Sequence, residues 1–194
     1  MPIKHLTHRT IHHYDDELFM HHKYWFDFHD ECDGLSATAN MDGFTVLNAI
    51  KMKLGLDTDM LREASERCNT TGEVLVLDSI GPKLFLVPRT QGDCMELADT
   101  YMVRLLRAVD TVGVRNLQFS HYSFRNNLPV RGELEVVTRM ICDRNTVSQL
   151  DHLVLDIDAR IYRRFFRFLT ERCIRPHSEM YTSFVGDTRL LMGV

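Results

Sequence analysis

The sequence predicts an α/β protein with a mainly parallel sheet covered by helices on both faces. Two observations predict it. Short apolar runs of strand length alternate along the middle of the chain with longer segments whose apolar residues recur at helical intervals. Strands that alternate with helices of this length build parallel sheets, because each helix carries the chain back over the sheet to start the next strand.

The elements follow in order. Leu35, Ser36, Ala37, Thr38 and Ala39 form a small-residue run suited to a buried strand, and Asn40, Met41, Asp42 and Gly43 then signal a turn. Val46, Leu47, Ile50 and Leu54 share one face of a helix, and Gly55 stands where a left-handed cap is wanted. Asp57 or Thr58 caps a second helix with Leu61, Ala64 and Cys68 inward, and residues 69–72, Asn-Thr-Thr-Gly, read as the turn that follows it. The runs 74–77 and 84–87, separated by Asp78, Ser79, Ile80, Gly81 and Pro82, are either a hairpin or neighbours in the sheet. Asp93 and Glu96 have capping-box spacing before a long helix striped by Leu97, Tyr101, Leu105 and Val112. Residues 114–119 are a buried strand, and 120–128 a polar and aromatic loop. Pro129 suits the first turn of a helix carrying Val130, Leu134, Val137 and Ile141. A strand over 150–157 precedes a last helix from Ala159, with Ile161, Phe165, Phe168 and Leu169 on its apolar face. In open sheets of this kind ligands bind at the carboxyl ends of the strands, which directs attention to the loops after Ala39, Val87 and Phe119.

Composition narrows the function classes. A chain of 194 residues with 44% hydrophobic and 26% charged residues folds in water around one core, and 10 Gly with 5 Pro argue against a fibrous or disordered chain. A net charge of -4 gives no global attraction to nucleic acid or anionic membranes. No apolar run is long enough to span a bilayer and the first residues lack an apolar signal core, so a cytoplasmic location is expected. Cys32, Cys68, Cys94, Cys142 and Cys173 are odd in number, contain no CxxC pair, and read as reduced, mostly buried thiols.

Two local clusters compete for a role. Seven of the ten histidines, His5, His8, His12, His13, His21, His22 and His29, fall in the first 29 residues. Spacings such as His8 to His12, or His29 to Cys32, suit zinc, but no recognised ligand pattern emerges, so an N-terminal arm without metal is the preferred reading. Arg160, Arg163, Arg164 and Arg167, with Arg172 and Arg175 beyond, suit phosphate contacts, although such runs most often form the solvated face of a helix. Signatures of hydrolase nucleophiles, P-loops, dinucleotide sites and zincins are all absent.

The segment 37–50, Ala-Thr-Ala-Asn-Met-Asp-Gly-Phe-Thr-Val-Leu-Asn-Ala-Ile, followed by Leu54 and Gly55, a Leu-Arg-Glu-Ala helix and Thr71, Gly72, Glu73 and Val74, resembles the macro domain. That family runs from an Asn-Ala-Ala-Asn strand end into a Gly-Gly-Gly-Val loop, a Gly-Ala-Ile helix and a Thr-Gly-Glu-Ala turn. The resemblance extends over roughly residues 27–169 and implies a three-layer α/β/α domain at 27–170, flanked by an N-terminal arm, 1–26, and a C-terminal extension, 171–194. It also implies binding of ADP-ribose or a related nucleotide, with no cofactor. Asn40 matches the Asn that contacts the distal ribose, Gly43 the first loop glycine, Val46 the residue that closes that loop, and Asp27 the adenine-binding Asp. Residues 120–128 match the second phosphate loop, with Ser123 in place and Tyr122 or Phe124 available to pack on a ribose or base.

The departures bear on catalysis. Phe44 and Thr45 stand where the family has its second and third loop glycines, and residues 125–128 carry none. The branch containing the terminal ADP-ribose protein glycohydrolase uses a Lys and an Asp, and this sequence has Arg89 and Asn127 there. A guanidinium stays protonated and an amide is not a base, so Arg89, Arg125 and Asn127 are expected to bind a phosphate-bearing ligand without efficient hydrolysis. Two other readings stay open: a scaffolding protein that self-associates through its terminal arms, and a weak ADP-ribosyl hydrolase that uses Asn40 and a water.

Overall fold

The computed structural model describes residues 5–11, 32–40, 51–90, 95–120 and 150–158, together with Arg167. Among them, six strands form one sheet: β1 (His5–Ile11), β2 (Gly34–Thr38), β3 (Leu75–Leu77), β4 (Lys83–Val87), β5 (Asn116–Ser120) and β6 (His152–Asp158). Their spatial order is β1-β6-β5-β2-β4-β3. Every pairing is parallel except β3 with β4. Two helices are described in full, α1 (Thr58–Thr71) and α2 (Met95–Val112), and residues 51–54 are also helical.

Alternation along the strands divides the interior in two. On β4, Phe85 and Val87 enter one cluster with Ala98, Tyr101, Met102, Leu105, Leu106 and Val109 of α2, joined by Leu117 and Phe119 of β5 and by Leu153 and Leu155 of β6. Leu84 and Leu86 enter the other, with Leu35 and Ala37 of β2, Ala39, Leu54, and Leu61 and Cys68 of α1. The sheet is therefore the middle of three layers, mixed and mainly parallel, as the alternating sequence predicts.

The helix ends follow from their capping residues. Asp57 is the N-cap of α1, and its Oδ1 accepts from Asp59 N at 2.9 Å and Met60 N at 3.0 Å. The expected turn over 69–72 is instead the last helical turn plus its cap. Thr70 and Thr71 donate their hydroxyls back to Glu66 O and Arg67 O, and only Gly72, at φ 68°, leaves the helix. Gly55 and Gly113 take the same left-handed conformation after residues 51–54 and α2.

Runs 74–77 and 84–87 are the hairpin alternative, β3 antiparallel to β4. In its turn, Ser79 Oγ donates to Pro82 O and accepts from Gly81 N. The N-terminal arm expected over 1–26 needs correction at residues 5–11. They pair in parallel with β6, from His5 beside His152 to Ile11 beside Asp158, and so belong to the sheet. Polar composition hid this strand, which is outermost among the described strands and is held there through its backbone pairing with β6. The helix expected after Pro129 and the C-terminal extension lie outside the described residues. Arg167, from the arginine-rich stretch, is helical and exposed.

Candidate functional site

β2 lies between β4 and β5, and all three strands run the same way, so their carboxyl ends share one rim of the sheet. The chain leaves β2 for β3 and β4 on one side, then returns through α2 to β5 on the other. Such a reversal of strand order opens a crevice at the carboxyl ends.

Asn40 is half-buried two residues past the last β2–β4 pair, Thr38 beside Val87. Ala39 N still donates to Val87 O at 2.8 Å, but Asn40 N turns back to Thr38 O at 2.8 Å, which takes the chain sharply out of the sheet. Arg89, also half-buried, stands two residues past Val87 on the neighbouring strand. Asn69, in the last turn of α1, spans both exits. Its Nδ2 donates to Ala39 O at 2.7 Å and its Oδ1 accepts from Arg89 N at 2.7 Å. Since a carbonyl only accepts and a backbone N–H only donates, the two partners fix the orientation of the amide.

Behind this rim lies Cys68, whose thiol donates to Glu73 O at 3.2 Å and Leu86 O at 3.3 Å. Burial pushes the thiol up to about 12, against a smaller lowering by a backbone hydrogen bond at Leu75. It stays protonated and is no nucleophile. Cys32 and Cys68 are both free thiols. Among the described residues no group of three or more His, Cys, Asp or Glu is placed to hold a metal ion, and no helix is long and apolar enough to cross a membrane.

Of the residues singled out in the sequence, the structure brings Asn40 and Arg89 to one rim. Asp27, Gly43, Phe44, Thr45, Val46, Tyr122, Ser123, Phe124, Arg125 and Asn127 lie outside the described residues. The sequence does not single out Asn69, which bonds both strand exits. Its signal, an Asn just before a helix-ending Thr-Thr-Gly, reads as a turn because its partners lie 30 and 20 residues away.

The same arrangement of strands and helices occurs in solved structures. A Trypanosoma brucei macrodomain in complex with ADP matches with a TM-score of 0.59 at 15% identity, over 71% of this chain and 63% of that one. A macrodomain variant from Oceanobacillus iheyensis matches at 0.56 with 16% identity, over 73% of this chain and 87% of that one. This chain has the macrodomain fold. A tomato leucine aminopeptidase shares the arrangement at a TM-score of 0.52 and 14% identity, over 86% of this chain and 35% of that one. The macrodomain fold is thus found inside a chain named for a different activity, and function has to be argued from the site. No family model matches the sequence, and no curated protein does.

Proposed function

We propose that this chain binds ADP-ribose or a related nucleotide at the carboxyl ends of β2 and β4, without hydrolysing it efficiently. The observation that carries the reading is the pairing of Asn40 and Arg89 at adjacent strand exits, tied together by one side chain. A carboxamide both donates and accepts, as ribose hydroxyls require, and a guanidinium offers a planar fork of donors to diphosphate oxygens. A macrodomain of the same fold has been solved with ADP, the nucleotide portion of that ligand. Arg89 also argues against turnover. Where the glycohydrolase branch carries a lysine, this chain carries a guanidinium, which is a poor nucleophile and a poor base.

Calorimetry with ADP-ribose tests the reading. Saturable binding is expected, weakened about 10- to 100-fold in Arg89→Ala, the cost of a hydrogen bond to a charged group. The absence of heat and of any thermal shift at millimolar ligand would sink it. Turnover of an ADP-ribosylated substrate by the parent, lost in Asn40→Ala, would replace binding by hydrolysis.

A further inference from the structure

We infer that Asn69 is a positioning residue for the ligand site, setting the exit directions of Asn40 and Arg89 together. The inference rests on the ADP-ribose reading and adds to it a residue that touches no ligand. The carbonyl of Ala39 belongs to the same peptide plane as the nitrogen of Asn40, and the N–H of Arg89 to the plane it shares with Pro88. By holding one group of each plane, the Asn69 carboxamide fixes the orientation from which both ligand-facing residues start. The sheet does not need these bonds, because β2 and β4 already pair over Gly34–Thr38 and Lys83–Val87. Helix α1 does not need them either. It is capped by Asp57 and Gly72, and Asn69 itself is exposed. What the two bonds add is a fixed relation between two strand exits.

The chemistry at this position is selective. Asp keeps an acceptor for Arg89 N–H but has no donor for Ala39 O, while Ala keeps neither. The two variants therefore separate the two arms. In ligand-free ¹⁵N-labelled protein, Asn69→Ala should shift the backbone amides of both Asn40 and Arg89. Asn69→Asp should shift that of Asn40 while that of Arg89 stays hydrogen-bonded and protected from exchange, the protection that Asn69→Ala removes. By calorimetry, Asn69→Ala should bind ADP-ribose about tenfold more weakly than the parent. Thr70→Ala, which removes a hydroxyl bonded to Glu66 O within the helix, should bind as the parent does. Unmoved amides, or an Asn69→Ala affinity within about twofold of the parent's, would overturn the inference. A parent that binds no ADP-ribose would overturn the ligand reading instead, and the amide pattern would then decide the role of Asn69 alone.

Discussion

A Cβ added at Gly34 would stand 2.7 Å from Val114 Cγ1 and 3.1 Å from Phe85 Cε2, closer than non-bonded carbons pack. The face of β2 turned toward α2 carries only Gly34, Ser36 and Thr38, and larger side chains from its neighbours, Phe85, Leu117 and Phe119, fill the space over it. Gly34→Ala is expected to cost about 1–3 kcal/mol as an overpacked core, read from the urea midpoint. An unshifted midpoint would contradict the packing described. At this scale the sequence is legible where a residue's own chemistry is the signal. Asn40 and Arg89 are such residues, an amide and a guanidinium at the ends of readable strands. Gly34 and Asn69 are not, because their meaning depends on atoms that only folding brings near.

Both ends of helix α1 rest on one residue each, and these can be weighed against each other. Asp57→Ala removes the acceptor for two backbone N–H groups and should cost about 1 kcal/mol. Gly72→Ala forces a left-handed φ of 68° on a residue with a Cβ, which would also lie 3.2 Å from Arg104 Nη1, and should cost about 1–2 kcal/mol. Gly72→Asn should cost less than Gly72→Ala, since Asn tolerates that conformation. Chemical denaturation of the three variants gives the ranking, and equal losses for Ala and Asn would show that conformation is not what Gly72 supplies. Both helices were legible from apolar spacing, and α1 also from its capping residue Asp57. The last turn of α1 was not, since Asn-Thr-Thr has weak helix propensity and reads locally as a turn.

The mainly parallel sheet and its two covered faces were legible from alternating elements, whereas strand order was not. Order depends on pairings between distant segments, such as β2 between β4 and β5 or β1 beside β6, which leave no trace in local periodicity. Cys68 connects this architecture to pH. It lies on α1 and is bonded to carbonyls at Glu73 and in β4, so only opening of the molecule brings its thiol to water. Its folded value, about 12, is raised above the ordinary 9.0, so below pH 9 both states keep the proton and its contribution is constant. Above pH 9 the unfolded thiol ionises first, and stability falls through pH 12 by at most about 1.4 kcal/mol per pH unit. Urea midpoints across that range should decline less steeply in Cys68→Ala, and parallel declines would assign the alkaline loss to other groups. At the opposite end of the sheet, Asp33 accepts from Arg115 N and Asn116 N through its carboxylate and from Lys83 N through its carbonyl, linking the starts of β2, β4 and β5. Register is thereby set at the end away from the exits of β2 and β4. Three hydrogen bonds on one residue thus hold the starts of three strands level, while the exits at the other rim are tied separately by Asn69.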